Sequence, residues 1–286
     1  MQYIFDAHSH IQFPLYNHNR EEVIKRAQKA HIRMVAVGTN ASTSEAAIAL
    51  AHAYSDDVWA TVGFHPNHVV AHADGGVNWH HGKKEQASAQ PEKFDIQRLR
   101  TLAEDPKVVA IGECGLDYYR IMNNELGIKE SQKNVFLQQI QLAQELQKPL
   151  MIHCRPQKGT DDAYENLLDI LKNTKHATPI IHFYVGSPAI TKKLVDAGCA
   201  FTFGGVITFS RDYDESINII PIDRLLVETD CPYVAPLAYR GQQNEPSLIV
   251  ETVKKLAELK GISFDNIVEQ FYNNTSQILH IKNLSQ

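Results

Sequence analysis

Two rhythms of apolar and polar positions alternate along this 286-residue chain. Short apolar runs rich in β-branched and aromatic residues end on a polar side chain, and helical apolar spacing follows each of them. The first run is Tyr3-Ile4-Phe5, closed by Asp6-Ala7-His8-Ser9-His10. Helical spacing over 19–30 (NREEVIKRAQKA) leads to a second strand over 33–39 (RMVAVGT), a helix over 44–54 and a third strand over 58–65 (VWATVGFH). A helix over 95–104, a strand over 108–112, a long helix over 130–147 and a strand over 149–153 (PLMIH) come next. Then follow a helix over 161–173, a strand over 178–182 (TPIIH), a helix over 188–197, a strand beginning at 200–203 and an eighth over 224–229 (RLLVET). Helices over 247–260 and 264–279 end the series. Such alternation predicts βαβ units in a parallel α/β sheet, and eight of them predict a single (β/α)8 TIM barrel spanning residues 1–286.

The polar endings favour the barrel over an open sheet. His8, His10, His65, Glu113, His153, His182 and Asp230 all fall at the expected carboxyl ends of strands. In a barrel those ends converge on one mouth, where active sites are built. In an open sheet, strands one, four, five, six and eight do not reach a common point.

One stretch breaks the rhythm. Residues 69–93 (VVAHADGGVNWHHGKKEQASAQPEK) are polar, carry Gly75-Gly76 and hold His72, His80 and His81. They read as a loop inserted after the third strand, beside the mouth, either a lid or a surface excursion.

Successive strand side chains point to opposite faces, so His8 and His10 project together. With Asp230 they form one nitrogen-and-carboxylate site; His153 and His182, from neighbouring strands, form a second. Glu113 lies between the two and its oxygens can bridge both ions. Two divalent ions (magnesium, manganese or zinc) roughly 3.5–4 Å apart can clamp the attacking and leaving oxygens of a displacement at phosphorus. A bound water is acidified to serve as nucleophile, with Asp230 as its general base. His65 is expected to line the mouth as a substrate or supporting contact. Arg155, two residues beyond His153, is placed to grip a phosphate oxygen. Glu228, one layer below Asp230, is expected to orient a histidine, and Asp117 to organise a loop.

Composition narrows the picture modestly. A net charge of −5 excludes a global basic field for nucleic acid but not an enzyme holding phosphates through metal. The four cysteines (Cys114, Cys154, Cys199, Cys231) form no CxxC pair, and three of them directly follow a candidate ligand, which turns them towards the helices as buried thiols. No signal peptide and no membrane-spanning run is legible, so a reducing cytoplasm is expected. Neither a GxGxxG nor a GxxxxGK[ST] loop is present, which removes support for a nucleotide cofactor. No feature marks an obligate protein partner.

The chain resembles the TatD-type metal-dependent deoxyribonucleases. DAHSH (6–10), GFHP (63–66), GECGLDYY (112–119), PLMIHCR (149–155), HFYVGS (182–187) and ETDCPY (228–233) match in order, and NEPSLI and FYNNTSQIL extend the match towards the carboxyl end. The resemblance implies a barrel that hydrolyses phosphodiesters with divalent metal, some members acting as 3′ exonucleases on DNA. It implies His8, His10, Glu113, His153, His182 and Asp230 as metal ligands, none of them missing. Glutamate at 113, where several amidohydrolases carry a bridging lysine, favours the TatD branch. The 69–93 insertion and Cys231, in place of a common serine, are departures. An amidohydrolase acting on a small amide, ester or lactone is the alternative, because the same site would polarise a carbonyl. A non-catalytic, metal-dependent interaction module is a further rival.

Overall fold

The computed structural model describes residues 2–69, 92–119, 121, 126–172 and 177–281. Eight parallel strands pair in chain order: β1 (Ile4–Ser9), β2 (Ile32–Val37), β3 (Val58–Val62), β4 (Val108–Asp117), β5 (Leu150–Arg155), β6 (Pro179–Ile181), β7 (Ala200–Phe203) and β8 (Leu225–Val227). The seam between first and last is held just beyond β8. There the Asp230 N–H donates to the His8 carbonyl at 2.9 Å and the His10 N–H to the Cys231 carbonyl at 2.8 Å. The result is a nearly closed TIM barrel, as the alternation predicts.

Nine described helices surround it: α1 (Arg20–Lys29), α2 (Ala41–Ala53), α3 (Ile96–Ala103), α4 (Leu126–Leu146), α5 (Asp162–Leu171), α6 (Pro188–Asp196), α7 (Asp214–Ile219), α8 (Ile249–Lys260) and α9 (Phe264–Ile278). Local chemistry sets their starts. Asn40 and Thr43 form a reciprocal capping box on α2, and Ser187 caps α6 with proline at its first position. The six-residue α7 is absent from the sequence reading because DESINI is too short to show a helical period. Among the described residues no helix is long and apolar enough to cross a membrane.

Two apolar layers explain the alternation. Along β2, Met34 and Ala36 pack outward against the helices while Val35 and Val37 fill the barrel interior with Phe5, Met151, Ile180 and Leu226. Leu279 and Ile281, following α9, join that interior cluster. All four cysteines are buried free thiols, and Cys114, Cys154 and Cys231 belong to the outer layer.

Regular alternation is broken twice, and both breaks serve the mouth. Strict period two from Phe5 and Ala7 would send His8 and His10 out towards the helices. Instead the β1–β2 register shifts between Asp6 and Ser9. The β4–β5 register likewise shifts between Ile111 and Cys114, so β4 runs on to Asp117 and Glu113 lies inside the strand. Strand four therefore does not end at Gly112, as sequence pattern suggests: the bulge interrupts the apolar run without stopping the strand. Of the 69–93 insertion, residues 70–91, with His72, His80 and His81, lie outside the described residues. At its far flank the Glu92 carboxylate accepts the Ala41 and Ser42 N–H groups at the start of α2.

Candidate metal centre

Glu113 reaches the barrel axis because its backbone leaves the ladder. Its N–H donates to the Gly38 carbonyl beyond β2 at 2.8 Å, crossing over the end of β3. Gly63 makes the crossing possible, since a Cβ there would stand 2.4 Å from the Gly112 carbonyl carbon. Gly112 itself has φ +147°, a region open to glycine, and a Cβ on it would meet the Met151 carbonyl oxygen at 2.2 Å.

The two Glu113 oxygens face different partners. Oε2 lies 3.5 Å from His8 Nε2 and 3.6 Å from His10 Nε2. Asp230 Oδ1 closes that side at 3.7 Å from His8 Nε2 and 3.4 Å from His10 Nε2. On the other side, Oε1 lies 2.8 Å from His182 Nε2 and 3.0 Å from His153 Nδ1. All six residues expected as ligands thus converge on one cluster, and the ligand atoms of each triad, His8/His10/Asp230 and His8/Glu113/His182, lie within 4.8 Å of one another. His8 and His182 also stack, ring centroids 3.9 Å apart.

Hydrogen bonds behind the rings decide which nitrogen faces inward. His10 Nδ1 is 2.9 Å from the Val37 carbonyl, which can only accept, so Nδ1 carries a proton and Nε2 is the nitrogen turned to the cluster. His153 does the reverse: Nε2 is 3.0 Å from Asp117 Oδ2, which leaves Nδ1 to the cluster. His65 differs. Its Nδ1 accepts the Asn67 N–H at 3.1 Å, so Nε2 of the neutral ring carries the proton and donates to Glu113 Oε1 at 3.2 Å. Although His65, Glu113 and His153 also form a triad of metal-capable groups, His65 presents a donor to the carboxylate. It is 1% exposed, buried beneath Glu113.

Electrostatics fits the donor set to cations. Burial drives His8 down to about 3, helped by His182, so its ring is neutral. Burial also opposes charge on Glu113, but His65, His182 and His153 outweigh it and hold the carboxyl well below its usual range. Burial lowers His153 too, yet its hydrogen bonds to Asp117 and Glu113 prevail and raise it to about 9. Asp230 is held down by the hydrogen bond from His10 against the effect of burial. The Nε2 atoms of His8 and His182 both face Glu113, at 3.5 and 2.8 Å, and among the described residues the buried Nδ1 atoms of the two rings have no hydrogen-bond partner. The residues present fit divalent metal.

Other carboxylates build the surround. Asp117, read from sequence as a loop organiser, is buried at the end of β4; besides His153 it accepts from Asn67 Nδ2 and the Tyr119 N–H. Gln132 on α4 accepts the Asp117 N–H at 2.9 Å. The signal available for Asp117 was its spacing of four from Glu113, which shares a face in a strand carried that far. Asp6 accepts both the N–H and the hydroxyl of Thr229, and burial raises it to about 7. Glu228 is 3.8 Å from His182 Nδ1, too far for the orienting hydrogen bond expected of it. It accepts instead from Thr202 Oγ1 and the Phe183 N–H, and burial beside Asp230 keeps its pKa well above normal.

A cleft of about 730 Å³ opens over His153, His182 and Asp230. Arg155 lines it, its guanidinium 3.8 Å above the Tyr119 ring.

A TIM barrel with a buried histidine–carboxylate cluster at its mouth defines a metal-dependent hydrolase. The family model described as TatD related DNase matches residues 5–280, and the chain belongs to the TatD family. It is 32% identical over 283 residues to the uncharacterized metal-dependent hydrolase YabD of Bacillus subtilis, covering 97% of this chain and 99% of the relative. It is 33% identical over 279 residues to the 3′-5′ ssDNA/RNA exonuclease TatD of Erwinia amylovora, covering 93% of this chain and 96% of that one. Among solved structures, the TatD homologue YJJV of Escherichia coli superposes with a TM-score of 0.79 at 24% identity, covering 98% of each chain.

Proposed function

We propose that this protein is a two-metal phosphodiesterase that removes nucleotides from the 3′ end of single-stranded DNA. The observation that carries the proposal is the division of Glu113, Oε2 towards His8 and His10 and Oε1 towards His153 and His182. In this reading His8, His10, Asp230 and Glu113 would hold one divalent ion, magnesium, manganese or zinc, and His153, His182 and Glu113 would hold the second. When bound, such ions neutralise phosphate charge and acidify water. The chain supplies the rest. Asp230, ionised and at the cleft, takes the proton of the attacking water. Arg155 grips a phosphate oxygen from the cleft wall. His65 and Asp117 fix the carboxylate and the imidazole that they touch. The exonuclease name borne by the Erwinia relative supports nucleic acid as substrate.

The test uses metal-stripped protein, single-stranded DNA labelled at its 5′ end, and Mg²⁺, Mn²⁺ or Zn²⁺ added in turn, with Glu113→Gln as control for contaminating nuclease. A ladder shortening from the 3′ end, dependent on metal and absent in the variant, is expected. Hydrolysis of p-nitrophenyl acetate without any of bis(p-nitrophenyl) phosphate would overturn the reading in favour of a small-substrate amidohydrolase.

A further inference from the structure

Three of the five large apolar side chains exposed among the described residues, Tyr119, Phe209 and Leu237, lie in loops that follow strands β4, β7 and β8 at the mouth. The carboxyl ends of a barrel's strands carry its substrate loops, and exposed apolar groups gathered there mark contact with a ligand. Two of the three are capped by arginine. Arg155 stacks on Tyr119 inside the cleft, and the Arg240 guanidinium stacks on Phe209 with 4.4 Å to the ring centroid. Neither guanidinium makes an ion pair or a side-chain hydrogen bond among the described residues. Phe209 and Arg240 come from different loops, fastened together by the Thr208 hydroxyl, which accepts the Leu237 N–H at 2.8 Å. The cleft extends to this side, since Tyr213 and Val234, of the same two loops, line it.

We infer that the Phe209–Arg240 stack is a second nucleotide subsite, holding the single strand at a base away from the scissile phosphate. The inference rests on the nuclease reading for the identity of the strand. An aromatic face accepts any unpaired base, and a guanidinium without a counter-charge accepts the adjoining phosphate. Duplex DNA, its bases stacked on one another, cannot use such a platform. Recognition must be local, because the chain carries a net charge of −5 and the cleft includes Asp161 and Asp212.

The experiment compares wild type with Phe209→Ala, Phe209→Trp and Arg240→Gln, all exposed positions whose replacement leaves the core intact. Binding of a fluorescent single-stranded 20-mer is followed by anisotropy in chelator, and turnover is followed on the 20-mer, a dinucleotide and bis(p-nitrophenyl) phosphate. Phe209→Ala is expected to weaken 20-mer binding and raise its KM about 10-fold, with both small substrates unchanged and Phe209→Trp restoring wild-type values. Arg240→Gln is expected to flatten the salt dependence of binding by about one phosphate contact. Oligonucleotide binding without turnover by the wild type, still weakened in Phe209→Ala, would sink the nuclease reading and leave the subsite standing. Unchanged 20-mer binding in Phe209→Ala, equal losses on the small substrates, or no binding by the wild type would overturn the subsite.

Discussion

Asp117 Oδ2 stands 3.0 Å from His153 Nε2, while the other nitrogen of that ring lies 3.0 Å from Glu113 Oε1. A single imidazole is thus held between two carboxylates, one behind it and one in front. The rear contact selects the tautomer that turns Nδ1 to the cluster, and it differs from the front one in what its loss should do.

Asp117→Ala is expected to weaken metal binding at the His153 side by about 10–100-fold while the His8–His10 side keeps its affinity. Titration of the metal-free variant against a chromophoric chelator would show one weakened equivalent and one near wild type. Two unchanged equivalents would remove Asp117 from any positioning role.

Glu113→Gln reaches both sides at once. Bound metal, measured by elemental analysis after gel filtration, should fall from two equivalents to one or fewer, and hydrolysis should fall at least about 100-fold. The circular dichroism spectrum should be preserved, because the side chain contributes to the mouth rather than to either apolar layer. Full activity would refute the bridging role.

Gly63→Ala adds one methyl group where the backbone of residues 112–113 crosses, at 2.4 Å from the nearest atom. Overpacking of this kind typically costs about 1–3 kcal/mol. The displaced backbone carries Glu113, so the variant should lose metal affinity with every ligand side chain present. Chemical denaturation and metal titration together check it; loss of stability with unaltered metal affinity would separate the crossing from the site.

In the metal-free protein the folded-state pKa of His153 is raised from 6.5 to about 9. Its contribution to stability is therefore complete below pH 6.5 and disappears as pH rises through 9. Glu113 and Asp117, both lowered, act oppositely: their contribution is present above their ordinary values of 4.5 and 3.8 and is lost in acid. The melting temperature of chelated protein should fall by about a few degrees between pH 6.5 and 9. The same proton competes with metal for Nδ1, so affinity should rise about tenfold per pH unit over that interval, with protons released on loading at pH 7. Calorimetry in buffers of different ionisation enthalpy reads that release; none would place the proton elsewhere.

The barrel was legible because eight apolar runs alternated with helical spacing, and the convergence of the site because six of those runs end in histidine or carboxylate. What escaped was geometry of one-residue scale. Nothing in Phe5-Asp6-Ala7-His8 announces the register shift that turns His8 inward, and strict alternation would have sent it outward. The extension of β4 to Asp117 was hidden because the apolar run stops at Gly112, which with Gly115 lies within the strand. Glu228 shows the converse. Its spacing from Asp230 suggested a partner for a histidine, but Thr202 and Phe183 claim its oxygens. Side-chain competition of this sort follows from packing, which pattern does not encode.

The seam of the barrel gives the metal cluster a mechanical meaning. The groups that join the ends of β1 and β8 are the main-chain atoms of His8, His10, Asp230 and Cys231, three of whose side chains form a triad able to hold a metal ion, and beneath them Asp6 binds Thr229 across 223 positions of chain. An ion held by His8, His10 and Asp230 would act as the clasp of a hoop, fastening the first strand to the last. Closing so long a loop is costly in chain entropy, and most of that cost is already met when the sheet forms. Loading the site should therefore slow amide exchange most at His10 and Asp230, and emptying it should let the hoop open at its clasp before any other strand pair separates.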